Sequence, residues 1–135
     1  DKILGVKQIL KIFFQGKKIM TFKMQSALNI YLENIKIDYE KTCSSSQMKQ
    51  EFNEGLHYAK GKKYIKVISG DRNGHKRVHS FISMGDDRFQ EGDILLAASW
   101  ATPAKNKARG NIYQEYHISW TGPDYLPTGF QKNYK

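Results

Sequence analysis

The feature that most restricts how this chain can fold is a change of hydrophobic rhythm at Gly61. Before it, apolar residues recur every three or four positions; after it, they alternate. From about Gln25 to Asp38, Ala27, Leu28, Ile30, Tyr31, Leu32, Ile35 and Ile37 sit among good helix formers, and Ser26 is available as an N-cap. Ser44-Ser45-Ser46 then offers caps for a further helix from Gln47 to Lys60, with Met48, Phe52, Leu56 and Ala59 at helical spacing and Gly61 to close it. Beyond Gly61 the spacing predicts strands over Tyr64 to Ser69 and Val78 to Ser83, joined by the turn Gly70-Asp71-Arg72-Asn73-Gly74. A third strand is expected from Asp93 to Ser99 and a fourth from about Ile112 to Trp120.

Helices first and strands after define an α+β domain, with N-terminal helices packed on a small, mostly antiparallel four-stranded sheet. The chain of 135 residues is expected to be one domain. Residues 1–60 form its mainly helical part and residues 61–122 its sheet part. Residues 123–135, with Pro123, Pro127 and Gly129, are expected to be an irregular tail.

The first residues allow two readings. Ile3, Val6, Ile9, Leu10, Phe13 and Phe14 share one side of a helical wheel, opposite Lys7, Lys11 and Lys18, which describes a basic amphipathic helix closed by Gly16. Alternatively, Gln15-Gly16-Lys17-Lys18 turns a hairpin between Lys11–Phe14 and Ile19–Phe22. We take the helix, whose apolar arc is wide, and residues 3–14 as the surface through which copies would associate. Lys7 and Lys11 interrupt the longest apolar run, so no membrane span is expected and the segment makes a poor secretory signal. The lone Cys43 permits no internal disulfide and no multi-cysteine zinc site, which fits a reducing compartment.

Charge says most about partners. Twenty-two Lys and Arg oppose thirteen Asp and Glu, a net charge of +9, and the signs are segregated along the chain. Residues 56–81 carry Lys60, Lys62, Lys63, Lys66, Arg72, Lys76 and Arg77 against Asp71 alone, and residues 99–113 carry Lys105, Lys107 and Arg109 with no acid. Acids gather in residues 25–55 and 82–98. A basic face with a neutral back is the arrangement that binds a polyanion.

Three constellations could carry chemistry. His75 and His79 flank Arg77 on a predicted strand, where alternate residues share a face, and could line a phosphate site. His117-Ile118-Ser119 resembles one half of the paired His-x-Ser/Thr motif of two-histidine phosphoesterases, but His79 is followed by Ser80-Phe81 and the second half is missing. The third segment runs from Ala98 to Ile112. It joins Trp100 to a proline-bounded loop with Lys105, Lys107 and Arg109, so that cations could track a phosphate backbone while the indole stacks on a base. No phosphate-cradling Gly-x-x-x-x-Gly-Lys-Ser/Thr loop occurs.

The runs Val78-His79-Ser80-Phe81, Gly92-Asp93-Ile94-Leu95, Ala98-Ser99-Trp100 and Pro103-Ala104-Lys105 through Arg109-Gly110-Asn111-Ile112 resemble a group of small proteins encoded by tailed bacteriophages and marine viral metagenomes. The likeness covers roughly residues 62–122. It implies a viral origin, and with it the host cytoplasm or the virion, but carries over no activity.

The expected function is that of a virus-encoded basic accessory protein that binds DNA or RNA without catalysis, using no cofactor and no metal. Its expected contacts are Lys62, Lys63, Lys66, Arg72, His75, Lys76, Arg77, His79, Trp100, Lys105, Lys107 and Arg109. The alternative is a structural virion or interaction protein that forms homo-oligomers. A phosphodiesterase stands third, since the one complete histidine pair has no acidic partner to set one ring as the proton donor.

Overall fold

The computed structural model describes residues 19–70 and 74–124. The amphipathic segment at residues 2–18, the association surface at 3–14, Arg72 and the expected tail from residue 125 onward lie outside them.

Helix α1 spans Phe22–Thr42. It starts where the Thr21 hydroxyl accepts the amide of Met24 at 3.1 Å, one turn before the Ser26 expected as its cap. Met24, Leu28, Tyr31, Ile35 and Tyr39 form a single buried stripe at steps of three and four. Ile30 and Ile37, apolar though they are, face solvent. Helix α2 spans Ser46–Gly55, capped by Ser45, and buries Phe52. It is shorter than its sequence suggests. Gly55 ends it, packed so close to the Gly70 backbone that an added Cβ would lie 3.2 Å from the Gly70 nitrogen.

The residues after α2 form a strand and do not continue the helix to Lys60. Strand β1, His57–Lys60, pairs antiparallel with β2, Tyr64–Gly70, so tertiary pairing overrides the helical spacing of Leu56 and Ala59. Strand β3, Lys76–Ser83, pairs with β2 as expected, and β4, Ile94–Leu95, completes the order β1-β2-β3-β4, antiparallel throughout. The chain is therefore an α+β fold with its helices N-terminal to a four-stranded antiparallel sheet.

The later strands are shorter than their sequence suggests. Strand β4 is only Ile94–Leu95, because the chain folds back at once: Ala104 donates to the carbonyl of Leu96, and Ala97 bridges Pro103. The stretch expected as a fourth strand supplies β5, His117–Ser119. It pairs with β6, Gly122–Asp124, in a separate two-stranded sheet, so Gly122–Asp124 is a strand although Pro123 sits within it.

Both faces of the four-stranded sheet are covered. The inner face presents Ile65, Val67 and Ile82 to the helices and merges with Met24, Leu28, Tyr31, Ile35 and Phe52 in one core. The outer face presents Phe81 and Leu95 to Phe89 and Ala108, with Tyr64 and Val78 at the margin. The β5–β6 ribbon is tied to α1 by Asn34, which donates to the Tyr116 hydroxyl at 2.7 Å, and by Asp38, which accepts the Trp120 amide at 2.8 Å.

A bulge in β3 sets the faces. Val67 pairs with Ser80 and Ile68 with Val78, so His79 is the extra residue of the register. It lets His79 and Ser80 reach the same buried network while Val78 and Phe81 pack on the outer face.

Candidate nucleic-acid interface

On the outer face, the segment from Leu96 to Ala108 crosses the sheet and carries Trp100 at its tip. The tip is held by its own hydrogen bonds: the amides of Ala98 and Ser99 reach the Thr102 carbonyl at 3.0 Å, and the Ser99 hydroxyl accepts the amides of Ala101 and Thr102. Trp100 is thereby displayed with half of its surface (51%) exposed. Lys66, projecting from β2, sets its ammonium 4.4 Å from the centre of the indole ring and 5.9 Å from that of Phe81. Lys105 stands over Tyr64 at 5.9 Å.

Between the Trp100 tip and the β1–β2 turn lies a groove of about 460 Å³. Lys60, Lys62, Lys63 and Lys66 line it, along with Tyr64 and Phe81, and no carboxylate does so among the described residues. The turn is tight: Gly61 donates to the Tyr64 carbonyl at 2.8 Å, and a Cβ on Gly61 would meet that same oxygen at 3.0 Å. The lysines therefore fan out from a fixed backbone, and among the described residues none of the four is ion-paired. The chemistry on offer is a strip of uncompensated ammonium groups beside an exposed flat ring.

The sequence-derived set is divided by the fold. Lys62, Lys63, Lys66, Trp100 and Lys105 come together on this face. His75, Lys76 and Arg77 lie at the far end of the β2–β3 pair, beside α2, where with Trp120 they border a second cleft. Lys107 is half-buried and Arg109 is buried, 7% exposed, so its guanidinium belongs to the interior.

His79 is buried too, 2% exposed, and its partners fix its state. Nε2 lies 2.8 Å from the carbonyl of Ser119, which can only accept, so Nε2 carries the proton. Nδ1 then accepts from the Ser80 hydroxyl at 2.9 Å, and the Ser80 oxygen accepts from the Tyr31 hydroxyl at 2.8 Å. Burial drives the pKa of His79 down to about 4, with Arg77 nearby adding to the effect against the opposing hydrogen bond to Ser119. The same burial raises that of Tyr31. Arg77 and His79 do share a side of the strand, but the β5–β6 ribbon covers it, and Arg77 donates to the Thr121 carbonyl. A neutral, enclosed His79 with both nitrogens engaged cannot work with the exposed His75 across a phosphodiester. His117, the other histidine of interest, lies 3.8 Å from Glu115 at the surface.

Two contributors carry no clear signal in the sequence. Helical spacing places Lys60 in a helix, and only the pairing of β1 with β2 puts it on the sheet. The second cleft draws Tyr39, Phe52 and Trp120 from three separate elements, and no local pattern joins them. Among the described residues, no group of three or more His, Cys, Asp or Glu could hold a metal ion, and no helix is long and apolar enough to cross a membrane.

Fold and surface together define a small basic α+β domain with a lysine- and tryptophan-lined groove. The chain belongs to a family of unknown function, DUF7717, whose model matches residues 13–125. Comparison with curated proteins and with solved structures finds no match.

Proposed function

We propose that this protein is an accessory factor, of viral origin by its resemblance, that binds single-stranded nucleic acid along the groove between the β1–β2 turn and the Trp100 tip. The observation that carries the reading is the half-exposed indole of Trp100 under the Lys66 ammonium, beside Lys60, Lys62 and Lys63, with no carboxylate lining the groove. Single-strand binders combine these elements: cations that follow the backbone and an aromatic face that stacks on any base. A groove of this kind reads no particular sequence, because every base offers a π-face. It also requires no chemistry from the protein, in keeping with a His79 that is sealed and neutral.

The test is titration of single-stranded DNA, duplex DNA and RNA at several salt concentrations, with the wild-type protein and Trp100→Ala. The variant should lose about 1–3 kcal/mol of single-strand affinity while melting at the wild-type temperature, since half of the ring is already in water. If the oligonucleotides bind both proteins equally, or if the variant melts markedly lower, Trp100 is a packing residue and the reading fails. A large symmetric oligomer without affinity for any of the three would favour a structural virion protein instead.

A further inference from the structure

On the opposite face, at the far end of the sheet, a cleft of about 390 Å³ opens between α2 and the β5–β6 ribbon. Its size falls within the roughly 300–1,000 Å³ typical of small-ligand sites. Its wall is aromatic: Tyr39 and Phe52 stack with ring centres 4.0 Å apart and planes 6° from parallel, and Trp120 stands across both at 82° and 87°. Its rim is cationic. Lys76 and Arg77 lie at the start of β3, and among the described residues neither is paired with a carboxylate. The Thr121 carbonyl holds one edge of the Arg77 guanidinium, which orients the remaining N–H donors and spares a ligand that cost. One carboxylate, that of Glu51, also lines the cleft, and Gln47 fixes it at 3.2 Å.

A flat apolar wall beside two unneutralised cations suits a planar ring that carries an anion. A carboxylate near that wall is an acceptor for ring N–H groups. A nucleobase bearing a 5′-phosphate has all three complements: a π-face, exocyclic or ring N–H groups, and a dianion. An aliphatic anion would leave the aromatic wall unused, and an uncharged ring would leave the cations unused. We infer that this cleft binds a nucleoside 5′-monophosphate unit, either free or as the phosphorylated end of a strand. It lies apart from the groove at Trp100, so either site can fail without the other.

The two tryptophans give each site its own reporter, because the protein has two indole N–H resonances, one from Trp100 and one from Trp120. In two-dimensional NMR of the full chain, the four nucleoside 5′-monophosphates should shift the Trp120 resonance in a saturable way and leave that of Trp100 in place. The unphosphorylated nucleosides, and ribose 5-phosphate alone, should bind at least about tenfold more weakly, the loss expected when a charge-assisted hydrogen bond or a stacked ring is removed. A 5′-phosphorylated dinucleotide that shifts Trp120 where its unphosphorylated form does not would identify a strand end as a source of the same unit. Lys76→Gln, whose side chain is exposed and makes no hydrogen bond or ion pair among the described residues, should weaken the mononucleotide about tenfold without changing the melting temperature. Arg77→Gln should weaken it at least as much. The inference is overturned if millimolar mononucleotide leaves Trp120 unmoved, or if Lys76→Gln binds it as tightly as the wild type.

Discussion

Acidification should destabilise this protein through one side chain before its carboxylates respond. His79 is enclosed between Tyr31, Ser80 and Ser119, and its folded pKa is held at about 4 against an ordinary value of 6.5. As the pH falls below 6.5, the unfolded chain takes up a proton on this ring and the folded chain does not, so the equilibrium shifts toward unfolding. Stability conferred by keeping His79 neutral is thus complete above about pH 6.5, falls by up to about 1.4 kcal/mol per pH unit below that, and levels off once the pH passes about 4. The whole interval of about 2.5 units corresponds to about 3 kcal/mol, a large part of the 5–15 kcal/mol typical of a domain. At 2% exposure, solvent screening does little to reduce it. Urea unfolding at several pH values between about 7 and 4 measures the effect, and His79→Gln is the control, because it lacks the titrating group while every other ionisable residue is kept. The variant starts less stable, but its stability should stay nearly flat where the wild type declines, so that the two curves converge. Parallel curves would refute the reasoning and mean that the ring is protonated, or reached by water, in the folded state.

Replacing Lys62, Lys63 and Lys66 together with Ala should weaken binding to all single strands alike and reduce the slope of log affinity against log salt by about 0.7 for each phosphate no longer neutralised; an unchanged slope places the phosphates elsewhere. Gly92 has φ of +91°, and a Cβ there would lie 2.8 Å from the Asn111 oxygen and the Tyr113 ring, so Gly92→Ala should cost about 2–4 kcal/mol in urea unfolding. A loss below about 1 kcal/mol would show that this turn relaxes freely.

The fold class is legible in the sequence because the change of period at Gly61 is a global property of the chain, and one misplaced element does not erase it. The β2–β3 hairpin is legible because both strands alternate and glycines bound their turn. Strand β1 is hidden: Leu56 and Ala59 fit a helix as well as they fit an edge strand, and only the open side of β2 decides between them. The strands expected at Asp93–Ser99 and Ile112–Trp120 are too long, because the hydrogen bonds that turn the chain there, from Ala104 to Leu96 and from Gln114 to Asn111, join residues that no β-propensity distinguishes. For the candidate site, charge segregation singles out Lys62, Lys63, Lys66 and Lys105, which the fold gathers on one face, and the isolated aromatic at Trp100 marks the loop tip. The fate of His79 and Arg109 is not legible, since burial of a polar side chain depends on what covers it. For His79 the cover is the β5–β6 ribbon, some forty residues downstream.

The anchoring of α1 by Asn34 to Tyr116 and by Asp38 to Trp120 spans 82 residues in each case. Loops of that length close slowly, and contacts so distant in sequence raise the contact order that governs folding rate. Helix α1 therefore waits for strands far downstream of it before its inward stripe is fully covered. A ribosome-bound chain that stops short of Tyr116 would hold α1 without the ribbon that secures it, so the step that fixes α1 should coincide with the emergence of β5 and β6 and not with that of the hairpin at the centre of the sheet.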